Sequence, residues 1–399
     1  MTMPRPAVVL LAATAVSGLA GYLVTFFVAA AVTPAAYATF AVFWSTLFLV
    51  VGALGGIQQE ITRAAGVRDA VDGMASLGRF AVAAALAAVI VLLATAPLWT
   101  LVAGGHPLTV VALVAGAGAY CLVAVTSGAL YGARAWLPIA TLILVDGVLR
   151  LAGVLVSLAL PEPERALEIA VVLPFPLALA IVLPVVARRL RGIRADVPLA
   201  RLARNTLLAV LAAGASAVLI SGFPALVSAA TPGEPAAALA PLLLALMITR
   251  APIVIPAMAM QSLLIVRFRD AGVRLVLLAV ALVGVATALL AVLAAVAGPA
   301  LLLAGFGPDY AVDGALLAAL VASSGLIAAV IVGGAGLLAA SRHSVYVAGW
   351  VVAVVVTVAA FLLPLPAEPR IVVAALAGPG AALLVQLVAL AARRVEVAA

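Results

Sequence analysis

Two arginines, Arg150 and Arg250, stand deep inside long apolar runs. Arg150 is roughly 21 Å of helix rise from Trp136 and about 15 Å from Pro161, and Arg250 is roughly 25 Å from Arg267. A charge at the centre of a bilayer costs at least about 2.5–3.5 kcal/mol, so such residues face a bundle interior or a wet cavity and have a partner. Asp146 precedes Arg150 by four residues, which puts both side chains on one helix face. Two readings follow. The pair is a self-neutralised structural element, or it lines a cavity where the arginine meets an anionic ligand. In the second reading Asp146 is also the candidate ion-coupling carboxylate.

Arg250 has no acidic residue in its own helix. Its partner must be Asp146, a backbone carbonyl, water or an anionic ligand. Pro252 and Pro256 follow closely; they kink a helix and free carbonyls. Smaller polar residues sit at helical spacing in other apolar runs, among them Thr14, Ser17 and Thr25, then Ser216 and Ser221, then Gln261 and Ser262. Such groups also bond their own backbone or pack helices. The candidate binding set is Arg150, Arg250, Asp146, Thr25, Ser17 and Gln261.

Other chemistry is excluded or unsupported. All 21 basic residues are arginine. Without lysine there is no phosphate-binding G-x-x-x-x-G-K-[ST] loop and no Schiff base. Cys121 is the only cysteine, so no intrachain disulfide forms, and it reads as a small packed hydrophobe. His106 and His343 lie in different loops and make no metal cluster. No nucleophile–base pair stands out. The expectation is therefore no catalytic residue, no metal, no cofactor and no enzyme. Gly333-Gly334-Ala335-Gly336 reads as close helix packing.

The elements that carry these residues follow from composition. The chain has 399 residues, 68% hydrophobic and 9% charged. Uncharged runs of about 20 residues, enough to cross a bilayer, recur along its length. The alternating ten-residue pattern of a membrane barrel is missing. The expected fold is all-α: a polytopic membrane protein of twelve transmembrane helices. They are expected near residues 7–32, 37–57, 80–101, 108–130, 137–160 and 169–187, then 206–229, 237–265, 275–297, 314–339, 346–363 and 371–392. Seventeen of the 21 arginines then fall on one side, with both termini, which the positive-inside rule makes cytoplasmic. The net charge of +7 therefore marks orientation and contact with anionic lipid, not nucleic acid. The densest cluster runs from Arg188 through Arg204. It divides the chain into an N-terminal bundle (1–187), a basic cytoplasmic linker (188–205) and a C-terminal bundle (206–399). Two six-helix halves that both begin inside are parallel repeats around a central cavity.

Three motifs carry a resemblance. Thr33-Pro34-Ala35-Ala36-Tyr37-Ala38-Thr39-Phe40 is followed by an apolar helix ending Gly55-Gly56-Ile57-Gln58-Gln59-Glu60-Ile61-Thr62-Arg63. This resembles the opening of polysaccharide-exporter membrane proteins, with Ala38 where that family often has glycine. Phe306-Gly307-Pro308-Asp309-Tyr310 resembles the family's phenylalanine-glycine-x-x-tyrosine element. Ala339-Ala340-Ser341-Arg342 resembles its short inner turn. The resemblance is to the oligosaccharide-flippase side of the multidrug/oligosaccharidyl-lipid/polysaccharide exporter superfamily. It implies movement of polyprenyl-pyrophosphate-linked sugars from the inner to the outer leaflet by alternating access. The implied partners are a lipid-linked anionic sugar, membrane lipids and cell-envelope glycosyltransferases or a polymerase, with the protein a monomer in the cytoplasmic membrane. Deep arginines fit that reading, because guanidinium binds phosphate bidentately.

Other readings stay open. An ion-coupled drug antiporter would share the fold, but its deep acidic residues should outnumber deep arginines. A major-facilitator transporter would carry a G-x-x-x-D-R-x-G-R-R-like loop, which residues 58–79 do not match. A membrane glycosyltransferase would need a sizeable outer loop with acidic catalytic residues, and a non-transporting membrane scaffold is the remaining reading.

Overall fold

The computed structural model describes residues 5–67, 76–102, 107–190 and 193–398. Arg68, Asp69, Asp72, His106, Arg191 and Gly192 lie outside the described residues. The first part of the chain forms α1 (Arg5–Ala31), α2 (Pro34–Ala64), α3 (Leu77–Ala94), α4 (Ala96–Val102), α5 (Pro107–Gly132), α6 (Trp136–Leu158), α7 (Pro163–Val172) and α8 (Pro174–Leu190). The second part forms α9 (Leu199–Ile220), α10 (Phe223–Ala230), α11 (Ala236–Phe306), α12 (Gly314–Ala339), α13 (His343–Phe361) and α14 (Ala367–Ala398). Among the described residues, twelve helical stretches are long and apolar enough to cross a membrane, matching the expected all-α polytopic membrane fold.

Local chemistry explains the boundaries. Thr33 caps α2 by accepting from the Ala36 amide at 3.3 Å, and Pro34 supplies the preset φ of the first turn. Asp313 caps α12 by accepting from the Leu316 amide at 2.8 Å. Pro163 starts α7 six residues before the boundary expected from hydropathy. Glu164, Arg165 and Glu168 therefore lie in the helix and not in an outer loop. The sixth span then breaks at Leu173-Pro174, because proline has no amide to donate and clashes with the preceding turn. The seventh span, α9 with α10, breaks at Ser221-Gly222, just before Pro224. The eighth and ninth run on as α11 through a kink at Gly272, with φ 71° and ψ −175°, backbone angles open to glycine. An inner loop was the expectation there. Gly307, at φ 83°, ends α11 and leads into a one-turn 3-10 helix, Pro308–Tyr310. Burial pushes the Tyr310 phenol up to about 12, and the charge of Asp309 adds to the effect.

By contacts the chain forms two compact units, Met1–Ala217 with Ser221–Ala229, and Val218–Ile220 with Ala230–Ala399. In the first, α1 lies along α6, α2 along α5, and α9 against α2. Gly56 makes that last contact possible, since a methyl group there would meet the backbone of Ala209 and Val210. In the second unit α12 packs on both α11 and α14, and α13 on α14. Gly333 and Gly334 face Gln386 and Tyr346, the close packing expected of that glycine run.

At the end of α2 a small clasp holds the linker onto the first unit. β1 (Ala65–Val67) pairs antiparallel with β2 (Arg194–Ala195). Glu60, 7% exposed, accepts from Arg63 Nε at 2.9 Å, from Arg63 Nη2 at 2.6 Å and from Asn205 Nδ2 at 3.1 Å. Arg63 Nη1 also donates to Asp196 at 3.3 Å. A buried carboxylate is tolerable only with such partners.

Gly55 and Gly56 provide a paired test of the helix contact. Gly56→Leu should cost about 1–3 kcal/mol by overpacking. It should lower the unfolding midpoint of the purified protein clearly. Gly55→Leu, with nothing within 4 Å of its Cβ direction, should leave the midpoint unchanged or raise it.

Candidate functional site

Asp146 and Arg150 lie one turn apart on α6, and the structure pairs them. Arg150 is 4% exposed and donates through Nη2 to both Asp146 oxygens, at 2.7 and 2.6 Å. Its Nη1 donates to the carbonyl of Val171, near the end of α7. That carbonyl stands at the break enforced by Pro174. The guanidinium is then closed in by two rings, with its Cζ 4.7 Å from the Phe175 centroid and 5.2 Å from that of Phe48. Tyr120 packs on Phe175 at 5.3 Å. The arginine thus ties α6 to the break between α7 and α8.

Ser17 belongs to the same neighbourhood. A Cβ on Gly147 would sit 2.6 Å from Ser17 Oγ, so α1 crosses α6 directly beside Asp146. Thr25 lies eight residues further along α1, about 12 Å away. It is buried, and its hydroxyl donates to the Gly21 carbonyl of its own helix at 3.4 Å.

Arg250 belongs to the second unit, on α11, and is 7% exposed. Its Nη1 donates to the Leu219 carbonyl at 2.7 Å and to that of Ile220 at 3.4 Å. These are the last two residues of α9, where helix carbonyls lack intrahelical donors and the macrodipole is negative. Backbone carbonyls, one class of partner open to Arg250 in the sequence, are thus among its contacts. Gln261, half-buried, is eleven residues on along the same helix, about 16 Å from Arg250. It is not brought to the arginine.

In the first unit, Ser45 of α2 stitches the α9–α10 break. Its hydroxyl donates to the Ser221 carbonyl at 2.6 Å and accepts from the Ala225 amide at 3.2 Å. Sequence reading passed over Ser45, because a serine in an apolar helix carries no signal of a partner 176 residues away.

It also passed over a cavity of about 590 Å³ in the first unit, between α2, α5 and the α7–α8 span. Thr39, Thr109, Glu164, Arg165 and Glu168 line it at one end. Thr109 donates to Glu168 at 2.8 Å. Phe40, another lining residue, begins a column of rings on α2, 5.8 Å from Trp44, which is 4.6 Å from Phe48. The column runs from the cavity to the arginine cage. The signal for the acidic end was present in Pro163-Glu164, the start of a helix, with Glu168 one turn on.

No family model matches the chain. The uncharacterized protein Rv1510 of Mycobacterium tuberculosis is 35% identical over 397 residues, covering 96% of this chain and 90% of that protein. Rv3630 of the same organism is 34% identical over 400 residues, covering 95% and 90%. Among solved structures, the inward-facing form of a multidrug resistance MATE family transporter of the MOP superfamily matches with TM-score 0.64 at 14% identity, over 98% of this chain and 95% of that one. The lipid II flippase MurJ, inward closed, matches with TM-score 0.65 at 11% identity, over 96% and 87%. At these identities the likeness establishes a shared fold over almost the whole chain.

Removing one partner of the buried pair should expose its role. Arg150→Met leaves Asp146 without its cation and should destabilise the purified protein by about 3–5 kcal/mol. Asp146→Leu combined with Arg150→Met should recover most of that loss in a double-mutant cycle read by unfolding midpoint.

Proposed function

We propose that this chain, which belongs to the same family as the mycobacterial proteins Rv1510 and Rv3630, is a flippase for an anionic lipid-linked sugar, with a polyprenyl-pyrophosphate-linked oligosaccharide as the substrate class. The observation that carries the reading is the whole-chain likeness to the lipid II flippase MurJ, together with two buried arginines, Arg150 and Arg250, inside apolar spans. Transport is by alternating access between two six-helix halves, 1–187 and 206–399, joined by the basic linker. The arginine-rich ends, with both termini, face the cytoplasm, and the membrane is the cytoplasmic one. The protein acts as a monomer beside the glycosyltransferases or polymerase that make and use its substrate.

Within this reading the two deep arginines divide the work. Arg150 spends its donors on Asp146 and Val171 between two aromatic faces, which favours a pinning role. Asp146 meets Arg150 with both oxygens, which likewise favours pinning over ion coupling. Arg250 meets the carbonyls of Leu219 and Ile220 at the end of α9. A guanidinium pairs with pyrophosphate through charge-assisted bonds, so Arg250 is assigned to the anionic head. Ser17, Thr25 and Gln261 remain candidate contacts for sugar hydroxyls.

The equally extensive likeness to a MATE transporter supports a second reading, ion-coupled export of an organic molecule. Reconstitution separates the two. In proteoliposomes, the wild type should flip a fluorescent polyprenyl-pyrophosphate sugar well above protein-free vesicles. Arg250→Ala should cut the rate at least about tenfold, the scale of one lost charge-assisted contact. The amount of folded, inserted protein should stay the same, and Arg250→Lys should fall between. Unaltered flipping by a well-inserted Arg250→Ala variant would remove this residue from the site.

A further inference from the structure

The cavity in the first unit has a form and a charge pattern that the transport reading does not use. Its polar groups all lie near the starts of three helices. Thr39 is five residues after Pro34, Thr109 two after Pro107, and Glu164, Arg165 and Glu168 fall within the first two turns of α7. Beyond them the lining is apolar. Along α5 it runs from Leu108 to Ala119, about 16 Å, and along the α7–α8 span from Glu164 to Pro176, about 18 Å. One leaflet of a bilayer has a hydrocarbon depth of about 15 Å. The cavity is thus a slot one leaflet deep with a charged mouth.

Two further features point to what fills it. Leu108 (53% exposed), Val111 (60%), Ile169 (59%) and Leu173 (46%) stand along its open side, so that hydrocarbon can enter sideways. Ala112, Ala115 and Ala119 recur at helical spacing and leave the slot hollow where larger side chains would fill it. At the mouth, Glu164 and Glu168 lie one turn apart on one helix face, with Arg165 beside them. The pattern holds two carboxylates for an ammonium and one guanidinium for a phosphate.

We propose that this slot binds a single amine-bearing zwitterionic phospholipid, such as phosphatidylethanolamine, from the surrounding leaflet. One acyl chain lies along the alanine face of α5. The ammonium meets Glu164 and Glu168, and the phosphate meets Arg165. Thr109 holds Glu168 in place through its 2.8 Å bond. The site shares its inner wall with the arginine cage, since Val172 and Pro176 line the slot while Val171 and Phe175 contact Arg150. A seated lipid therefore packs directly on the break between α7 and α8. This inference does not rest on the transport reading.

The test uses the full-length protein in nanodiscs holding equal phosphatidylethanolamine and phosphatidylglycerol, with retained lipid counted by native mass spectrometry after release. The wild type should retain phosphatidylethanolamine at least about tenfold over phosphatidylglycerol, the ratio of one favourable ionic contact. Glu164→Gln with Glu168→Gln should abolish that preference. Ala115→Phe, which projects into the hollow, should abolish retention of both lipids, with an unfolding midpoint close to wild type to show that the bundle is intact. Equal retention of the two lipids by the wild type would overturn the proposal, as would undiminished retention by Ala115→Phe. Full displacement by dodecylamine, which carries no phosphate, would also overturn it, by showing an amine site alone.

Discussion

A guanidinium inside a bilayer carries five N–H donors, and there is no water to meet them. That constraint organises this molecule. Arg150 donates to the Val171 carbonyl at the end of α7, and Arg250 to Leu219 and Ile220 at the end of α9. In each case the acceptor is a carbonyl that a helix end leaves without an amide partner. Breaks and arginines are thus solutions to each other's problem. The break at Pro174 exposes acceptors that would be costly in hydrocarbon, and Arg150 needs acceptors it could not find on an unbroken helix.

The two arginines are not equivalent. Arg150 is neutralised by Asp146 and sandwiched by Phe48 and Phe175, so its energy goes into fixing one arrangement of α6, α7 and α8. Arg250 bonds the carbonyls of Leu219 and Ile220 at the end of α9. The proposed transport would proceed by switching between discrete packings. A helix break held by a few directional bonds is a natural place for such a switch. The two ends of the first unit differ in the same spirit. Its arginine-rich end is closed by the Glu60, Arg63, Asp196 and Asn205 network and the short β1–β2 ladder, whereas its other end opens into a slot with a charged rim.

Much of the fold was legible in the sequence, because the length and hydropathy of each span are local signals. The Asp146–Arg150 pair was legible too, since its four-residue spacing is a property of one helix. What could not be read were contacts made across the chain. Val171 is 21 residues from Arg150, and Leu219 is 31 from Arg250; neither carbonyl has a side-chain signature. The aromatic cage needed Phe48 and Phe175 to be brought together from separate helices. Glu168 was missed for a different reason. Hydropathy placed the span boundary after it, while Pro163 had already started the helix. The clasp was hidden because two- and three-residue strands leave no periodic pattern.

The central claim is that deep arginines on this fold serve an anionic lipid-linked head. It is tested most directly by comparing translocation rates for two head groups on one polyprenyl chain, in the same reconstituted vesicles. One probe carries the sugar through pyrophosphate, and the other carries it through an uncharged linkage. The account predicts that the pyrophosphate probe crosses at least about tenfold faster, the ratio equivalent to 1.4 kcal/mol. Equal rates for the two probes, or no crossing of either above protein-free vesicles, would contradict it.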